Sequence, residues 1–193
     1  YLLAMQPRPD AVVQAAVLGG DATNFALDNA LTQLANQYSA VLPIEGGQLH
    51  HTIRGFIHSQ LLAPEMRSGQ LVQKIVSTAI EALEAQHTML AAEFDNLAER
   101  TSHRDWQQLN LDLIYWQFWQ DERTAWHRLI PCLVEALAYD QHFARSLIDV
   151  VTSAMLLLNQ EGINRLQRLD LNAENRATLF DELARLAERG WLD

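Results

Sequence analysis

The chain has 193 residues, of which 49% are hydrophobic and 20% are charged, and its formal net charge at pH 7 is -10. This balance is typical of a soluble globular protein with one large or two small domains. No apolar run approaches the roughly 20 residues of a transmembrane helix, so we expect neither a membrane span nor a membrane partner. The single cysteine, Cys132, cannot pair within the chain, which predicts a cytoplasmic location. Because the sequence begins at Tyr1 without an initiator methionine, we expect a piece of a longer polypeptide.

The first region, residues 1–63, predicts three helices, one small β-hairpin and a closing helix. The first predicted helix ends near Pro7, and the others cover residues 11–18, 22–38 and 52–61. Between the last two helices, a Gly46-Gly47 turn separates two short apolar segments, which predicts the hairpin. This order of elements is the plan of a winged-helix domain. Pro64 disfavours helix at the residue before it, so we place the domain boundary between residues 63 and 64.

The second region, residues 64–193, predicts a mainly α-helical arm that forms a bundle or a repeat-like array of about five helices. The predicted helices cover residues 68–100, then run from 101 or 102 onward, from 121 onward, over 141–159 and from 172 onward. Two expectations concern interruptions: Pro131 should kink or split its helix, and Gly162 should end the one before it. The helix that carries residues 106–119 is apolar on two faces, which predicts a central position.

The junction between the predicted hairpin and the closing helix reads LHHTIR over residues 49–54. Four of its residues resemble the winged-helix motif of the STAND class of P-loop NTPases, the NLR-like and apoptosome-like signalling switches. They are the apolar Leu49, then His50, and the apolar Ile53 followed by Arg54. That motif usually has an aspartate where this chain has His51. The preceding residues 21–42 also look like that family's winged-helix domain, so the resemblance covers about a third of the chain.

The resemblance implies a nucleotide-sensing role for this segment. In that family the motif histidine reaches the β-phosphate of bound ADP, which implies that His50 donates an N–H to a phosphate held by a nucleotide-binding domain of the same polypeptide. The start of a helix also favours an anion. The chain has no GxxxxGKS or GxxxxGKT motif, and its only lysine is Lys74. ADP or ATP is therefore expected in the parent protein, and this fragment is expected to lack catalytic activity.

Other site types are less favoured by the residues. A winged helix can read DNA with its third helix, but the predicted helix 22–38 contains no Lys or Arg. A DNA-binding regulator is therefore a weaker alternative, and no nucleic-acid partner is expected. No two histidines lie three or four residues apart, so no metal site is expected.

Aromatic residues are concentrated between residues 106 and 126. Trp and Tyr dominate interaction hot spots, which makes Trp119 and Tyr115 candidate partner-binding residues. The alternative is that these rings form the core between two consecutive helices.

Two functions follow from these patterns. The leading hypothesis is a non-catalytic regulatory segment of a STAND-type signalling ATPase, in which the winged helix locks an ADP-bound closed state and the helical arm relays partner binding. The alternative is a stand-alone helical adaptor whose acidic surface binds other proteins without a nucleotide. Nucleotide-binding motifs upstream of Tyr1 would separate the two.

Overall fold

The computed structural model describes residues 1–8, 10–19, 44–45, 48–49 and 51–172, which are mainly helical, as predicted. The helices are α1 (Leu2–Met5), α2 (Ala11–Leu18), α3 (His51–Leu61), α4 (Pro64–Arg67), α5 (Gln70–Ala91), α6 (Leu97–Ser102), α7 (Arg104–Gln120), α8 (Glu122–Tyr139), α9 (Gln141–Ser153) and α10 (Gln160–Asn172). Two short strands, β1 (Ile44–Glu45) and β2 (Gln48–Leu49), pair antiparallel, with residue 44 opposite residue 49. The chain divides into a first unit, Tyr1–Leu83, and a second unit, Glu84–Asp193.

The boundary between the two compact units lies inside α5. The predicted domain boundary between residues 63 and 64 stays a prediction. Pro64 does interrupt the helical pattern, since α3 ends before it and α4 begins with it. The short helix α4 nevertheless contacts α3, so the proline changes the direction of the chain within one unit. Helix α5 then runs without a break from Gln70 to Ala91.

The first unit is organised around α1, which contacts both β2 and α3. Helix α2 begins because the Asp10 carboxylate accepts hydrogen bonds from the backbone N–H groups of residues 12 and 13. It ends at Gly19, whose φ of 71° is left-handed and unstrained only for glycine. The predicted third helix, residues 22–38, lies outside the described residues, and so does most of the predicted winged-helix arrangement.

The second unit is built on α7, α8 and α9, each of which contacts the other two. Helix α6 contacts α7 and α8, and α10 contacts α9. Helix α7 is buried around most of its circumference, as its two apolar faces predicted. The fully buried large side chains in the core of the second unit are Leu113, Ile114, Trp116, Phe118, Trp119, Trp126, Leu129, Ile130 and Phe143.

Three local expectations for the second unit were wrong. The helix predicted over 68–100 is two helices, because Asn96 caps a new one by accepting a hydrogen bond from the backbone N–H of Ala98. Pro131 does not split α8, which contradicts that half of the expectation, since the helix is held by buried residues on both sides of the proline; the expected kink stays a prediction. The helix expected to extend to residue 159 ends at Ser153, and a 3₁₀ turn over Met155–Leu157 follows it.

Two expected helix ends were also misplaced. Gly162 lies in the first turn of α10, where its backbone N–H donates to Asn159 Oδ1 at 2.9 Å, so it belongs to a helix start. Asn172, expected to begin the last helix, lies within α10, and it is also the last residue that the structure describes. The helix predicted beyond it lies outside the described residues.

Candidate functional site

The predicted phosphate-contacting residue, His50, lies outside the described residues, but both of its neighbouring elements are described. The described elements nearest to it along the chain are strand β2, which contains Leu49, and helix α3, which contains His51. The first turn of α3 contains no acidic residue, so no carboxylate of its own offsets the partial positive charge of the helix N-terminus.

Arg54, the last residue of the LHHTIR segment, joins α3 to α1. Its Nη2 donates to the backbone carbonyl of Gln6 at 2.6 Å, and its Nε donates to the carbonyl of Ala4 at 3.3 Å. The guanidinium thus satisfies carbonyls at the C-terminal end of α1, where a helix leaves its acceptors without intrahelical donors. The segment that carries the family resemblance is therefore attached through this arginine to the first helix of its unit.

The predicted partner-binding residues Trp119 and Tyr115 are both buried in α7. Trp119 is 0% exposed and Tyr115 is 3% exposed. Tyr115 also stands edge-on to the ring of Trp116. This burial favours the alternative interpretation, in which the aromatic cluster forms the core between consecutive helices.

A cleft of about 460 Å³ lies in the second unit, along one face of α7 and one face of α8. A volume of a few hundred cubic ångströms is within the range of ligand-binding clefts. His87 and Arg100 complete its wall from α5 and α6. The lining residues that carry most of the polar groups are His87, Arg100, Gln117, His127, Arg128 and Glu135. We refer to this feature as the α7–α8 cleft.

The two arginines of the cleft are held in fixed positions. Arg100 Nη2 lies 3.4 Å from Glu135 Oε2, and its guanidinium carbon lies 4.6 Å from the centre of the Trp106 ring. Arg128 forms an ion pair with Glu84. Each guanidinium therefore has an anionic neighbour, and Arg100 gains a cation–π contact as well. The charges of the ordered side chains at the cleft are thus balanced.

Two titratable groups in the cleft are held in their uncharged forms. Burial and the nearby Arg128 lower the pKa of His87, whose ring centre lies 4.2 Å from that of Trp106. Burial, with Glu135 nearby, raises the pKa of the Cys132 thiol to about 12, so it is not a nucleophilic thiolate at neutral pH. The cleft is therefore suited to binding and not to thiol chemistry.

Two polar atoms near the cleft lack hydrogen-bond partners within the described part of the chain. They are Gln117 Oε1 and Arg100 Nε, both shielded from solvent. Gln117 is only 5% exposed as a residue. An unpaired buried polar group costs about 1–3 kcal/mol, so a hydrogen bond between either atom and a water or a ligand would be stabilising.

Residue patterns did not predict this cleft or single out His87, Arg100 or Arg128 as site residues. One signal was present: along α8 the polar residues Thr124, Arg128 and Glu135 of the cleft lie four and seven positions apart, on one face of the helix, while the opposite face is apolar. The contribution of α5 and α6 could not be read from that spacing. It depends on which helices pack together.

Among the residues that the structure describes, no three His, Cys, Asp or Glu side chains converge to form a metal-binding group. None of the described helices combines the length and the apolar character that crossing a bilayer requires. Comparisons with protein-family models, curated proteins and solved structures found no match.

Proposed function

We propose that this chain is a non-catalytic regulatory segment of a STAND-type signalling ATPase. In this proposal residues 1–63 form the winged-helix lock, and the helical remainder relays the binding of a partner to that lock. The nucleotide, ADP or ATP, is held by a nucleotide-binding domain of the same polypeptide. His50 contacts its phosphate and stabilises the closed state.

The observation that carries the proposal is the geometry around position 50. The residues on either side belong to a strand and to an eleven-residue helix, α3, whose first turn has no carboxylate to compete with a phosphate. Arg54 attaches the start of α3 to the carbonyls at the end of α1. A displacement of α1 would therefore act on the start of α3 through Arg54 as well as through the packing of the two helices, and such coupling is what a conformational lock uses.

The proposal is tested on the full-length protein by the rate at which it loses ADP. One hydrogen bond from a histidine to a phosphate is worth about 1.5–3 kcal/mol, so His50→Ala should release ADP roughly 10- to 100-fold faster than the parent protein. The protein is loaded with a fluorescent ADP analogue and chased with unlabelled ADP. Signalling output is then compared at equal protein concentration.

His142→Ala is the matched control, because His142 is an exposed histidine of α9 in the other unit. It should release ADP at the parental rate. The proposal fails if the full-length protein binds no nucleotide, or if His50→Ala and His142→Ala release it equally slowly.

A further inference from the structure

The charged side chains of the α7–α8 cleft cancel one another. Arg100 pairs with Glu135 across the lining, and Arg128 forms an ion pair with Glu84. The two displaced pKa values in the cleft likewise favour uncharged side chains. A charged ligand would have to give up its hydration without meeting an unpaired charge of opposite sign. The cleft therefore favours a ligand without net charge.

One acceptor in the lining is both buried and without a partner. Gln117 Oε1 makes no hydrogen bond among the described residues, and Gln117 is 5% exposed. Neighbouring polar groups of the lining already have partners. Asn110 Nδ2 donates to the carbonyl of Trp106 at 2.8 Å, and the Thr124 hydroxyl donates to Asp121 Oδ2 at 2.7 Å. Gln117 therefore offers an acceptor that a ligand can use.

The other polar atom without a partner, Arg100 Nε, lies at the opposite end of the cleft. Its guanidinium carbon is 4.6 Å from the centre of the Trp106 ring. From Trp106 to Gln117, α7 makes about three turns, on the order of 16 Å. A small ligand cannot reach both atoms. We therefore consider the Gln117 end, which lies near Thr124 because only Asp121 separates α7 from α8.

The chemistry of Gln117 selects among neutral ligands. A carboxamide side chain has an acceptor oxygen and, beside it, an NH2 donor. A ligand that carries its own N–H and C=O side by side forms two hydrogen bonds with such a group. Primary carboxamides and lactams have this arrangement, whereas a trans peptide group directs its N–H and C=O to opposite sides. A primary carboxamide or lactam therefore suits this end better than a peptide backbone.

We propose that the Gln117 end of the α7–α8 cleft binds a small neutral carboxamide or lactam. The ligand N–H donates to Gln117 Oε1, and the ligand carbonyl accepts from Gln117 Nε2. An apolar ring completes the ligand, since Pro131 and the buried Cys132 give the lining a weakly polar wall. The inference goes beyond the proposed function because it concerns this chain alone, without a nucleotide.

The proposal is tested by nuclear magnetic resonance on the ¹⁵N-labelled 193-residue chain with four ligands of similar size. Benzamide carries both groups side by side, N-methylbenzamide holds its N–H trans to the carbonyl oxygen, N,N-dimethylbenzamide has no donor, and benzoate is an anion without a donor. Benzamide should shift the side-chain NH2 signals of Gln117 with a dissociation constant of about 5 mM or below. Those signals are identified by their loss in Gln117→Met. The other three ligands should bind roughly fivefold more weakly or worse.

Gln117→Met tests the contact from the side of the protein. Because Gln117 Oε1 has no partner among the described residues, its replacement sacrifices no hydrogen bond that this atom makes, and the fold should tolerate it. Binding is followed by the fluorine signal of 4-fluorobenzamide, and we expect it to be about five- to tenfold weaker in this variant. Gln120→Met is the matched control, since Gln120 is an exposed residue of the same helix and does not line the cleft.

Three results would overturn the proposal. Benzamide at about 20 mM leaves the Gln117 signals unchanged, which would make water the partner of Oε1; or N,N-dimethylbenzamide or benzoate binds as tightly as benzamide; or Gln117→Met and Gln120→Met bind 4-fluorobenzamide equally well. The comparison of ligands uses the parent chain, so it decides the matter even if Gln117→Met does not fold. None of these outcomes depends on ADP release by the full-length protein, so this inference and the proposed function can fail separately.

Discussion

Replacing Gly162 with alanine is expected to destabilise the second unit by about 1–2 kcal/mol. Gly162 lies buried in the first turn of α10. A Cβ added there would overlap Oε1 of Glu122, and it would lie 3.0 Å from Glu122 Cδ and 3.2 Å from Leu158 Cβ. The Glu122 side chain would therefore have to move.

The carboxylate of Glu122 is not free to move without cost, because it accepts two hydrogen bonds. Its Oε1 accepts from Trp126 Nε1 at 3.1 Å, and its Oε2 accepts from the backbone N–H of Asn159 at 2.9 Å. The Trp126 side chain is buried, so loss of its partner costs about 1–3 kcal/mol. Alanine gains about 0.5–1 kcal/mol over glycine within a helix, which partly offsets this loss. The net effect is the 1–2 kcal/mol given above.

The assay is a double-mutant cycle with Glu122→Ala, followed by urea unfolding. All five tryptophans lie at or beyond Trp106, so their fluorescence reports on the second unit. In the Glu122→Ala background the overlapping carboxylate is gone, and Gly162→Ala should become neutral or stabilising by up to about 1 kcal/mol. Equal destabilisation in both backgrounds would refute this reasoning and place the strain at Leu158 or in the backbone.

Two further predictions concern Arg54 and His87. Arg54→Met removes the donors to the carbonyls at the end of α1. Backbone amides in residues 1–8 should then exchange with deuterium about tenfold faster, as measured by mass spectrometry. The control Gln60→Met, at an exposed site, should leave the exchange of these amides unchanged. The folded-state pKa of His87 is lowered from its ordinary value near 6.5. As the pH falls, the unfolded chain therefore takes up a proton at His87 before the folded chain does. The free energy of unfolding should decrease as the pH drops below about 7. In urea unfolding between pH 7.5 and 5.5, His87→Gln should weaken the pH dependence of the free energy of unfolding, and the exposed-site control His142→Gln should leave it unchanged. An unchanged pH dependence in His87→Gln would show that His87 is not its source.

Local signals predicted the elements whose ends are capped by nearby residues. Asp10 and Asp121 each accept hydrogen bonds from backbone N–H groups two or three positions ahead, and the helices they begin start where the sequence placed them. The αL geometry of Gly19 ends α2 as expected. These interactions involve neighbours along the chain, so a pattern of residue types suffices to find them.

Distant contacts explain the predictions that were wrong. Gly162 was expected to end a helix, yet its position is set by Asn159, whose backbone N–H is held by Glu122 from the start of a different helix. The packing of α4 on α3 is likewise a contact that the proline between them does not reveal. Neither contact leaves a local trace in the sequence.

The sequence alone determined that this protein is mainly helical, where most of its capped helices begin, and that α7 would be buried on two faces. These properties follow from hydrophobic spacing and short-range hydrogen bonds. Only the tertiary structure decided that Trp119 and Tyr115 are core residues and that His87, Arg100, Gln117 and Arg128 line one cleft. Helical periodicity specifies which side chains share a face, but which faces then pack together is decided by complementarity between helices far apart in the chain.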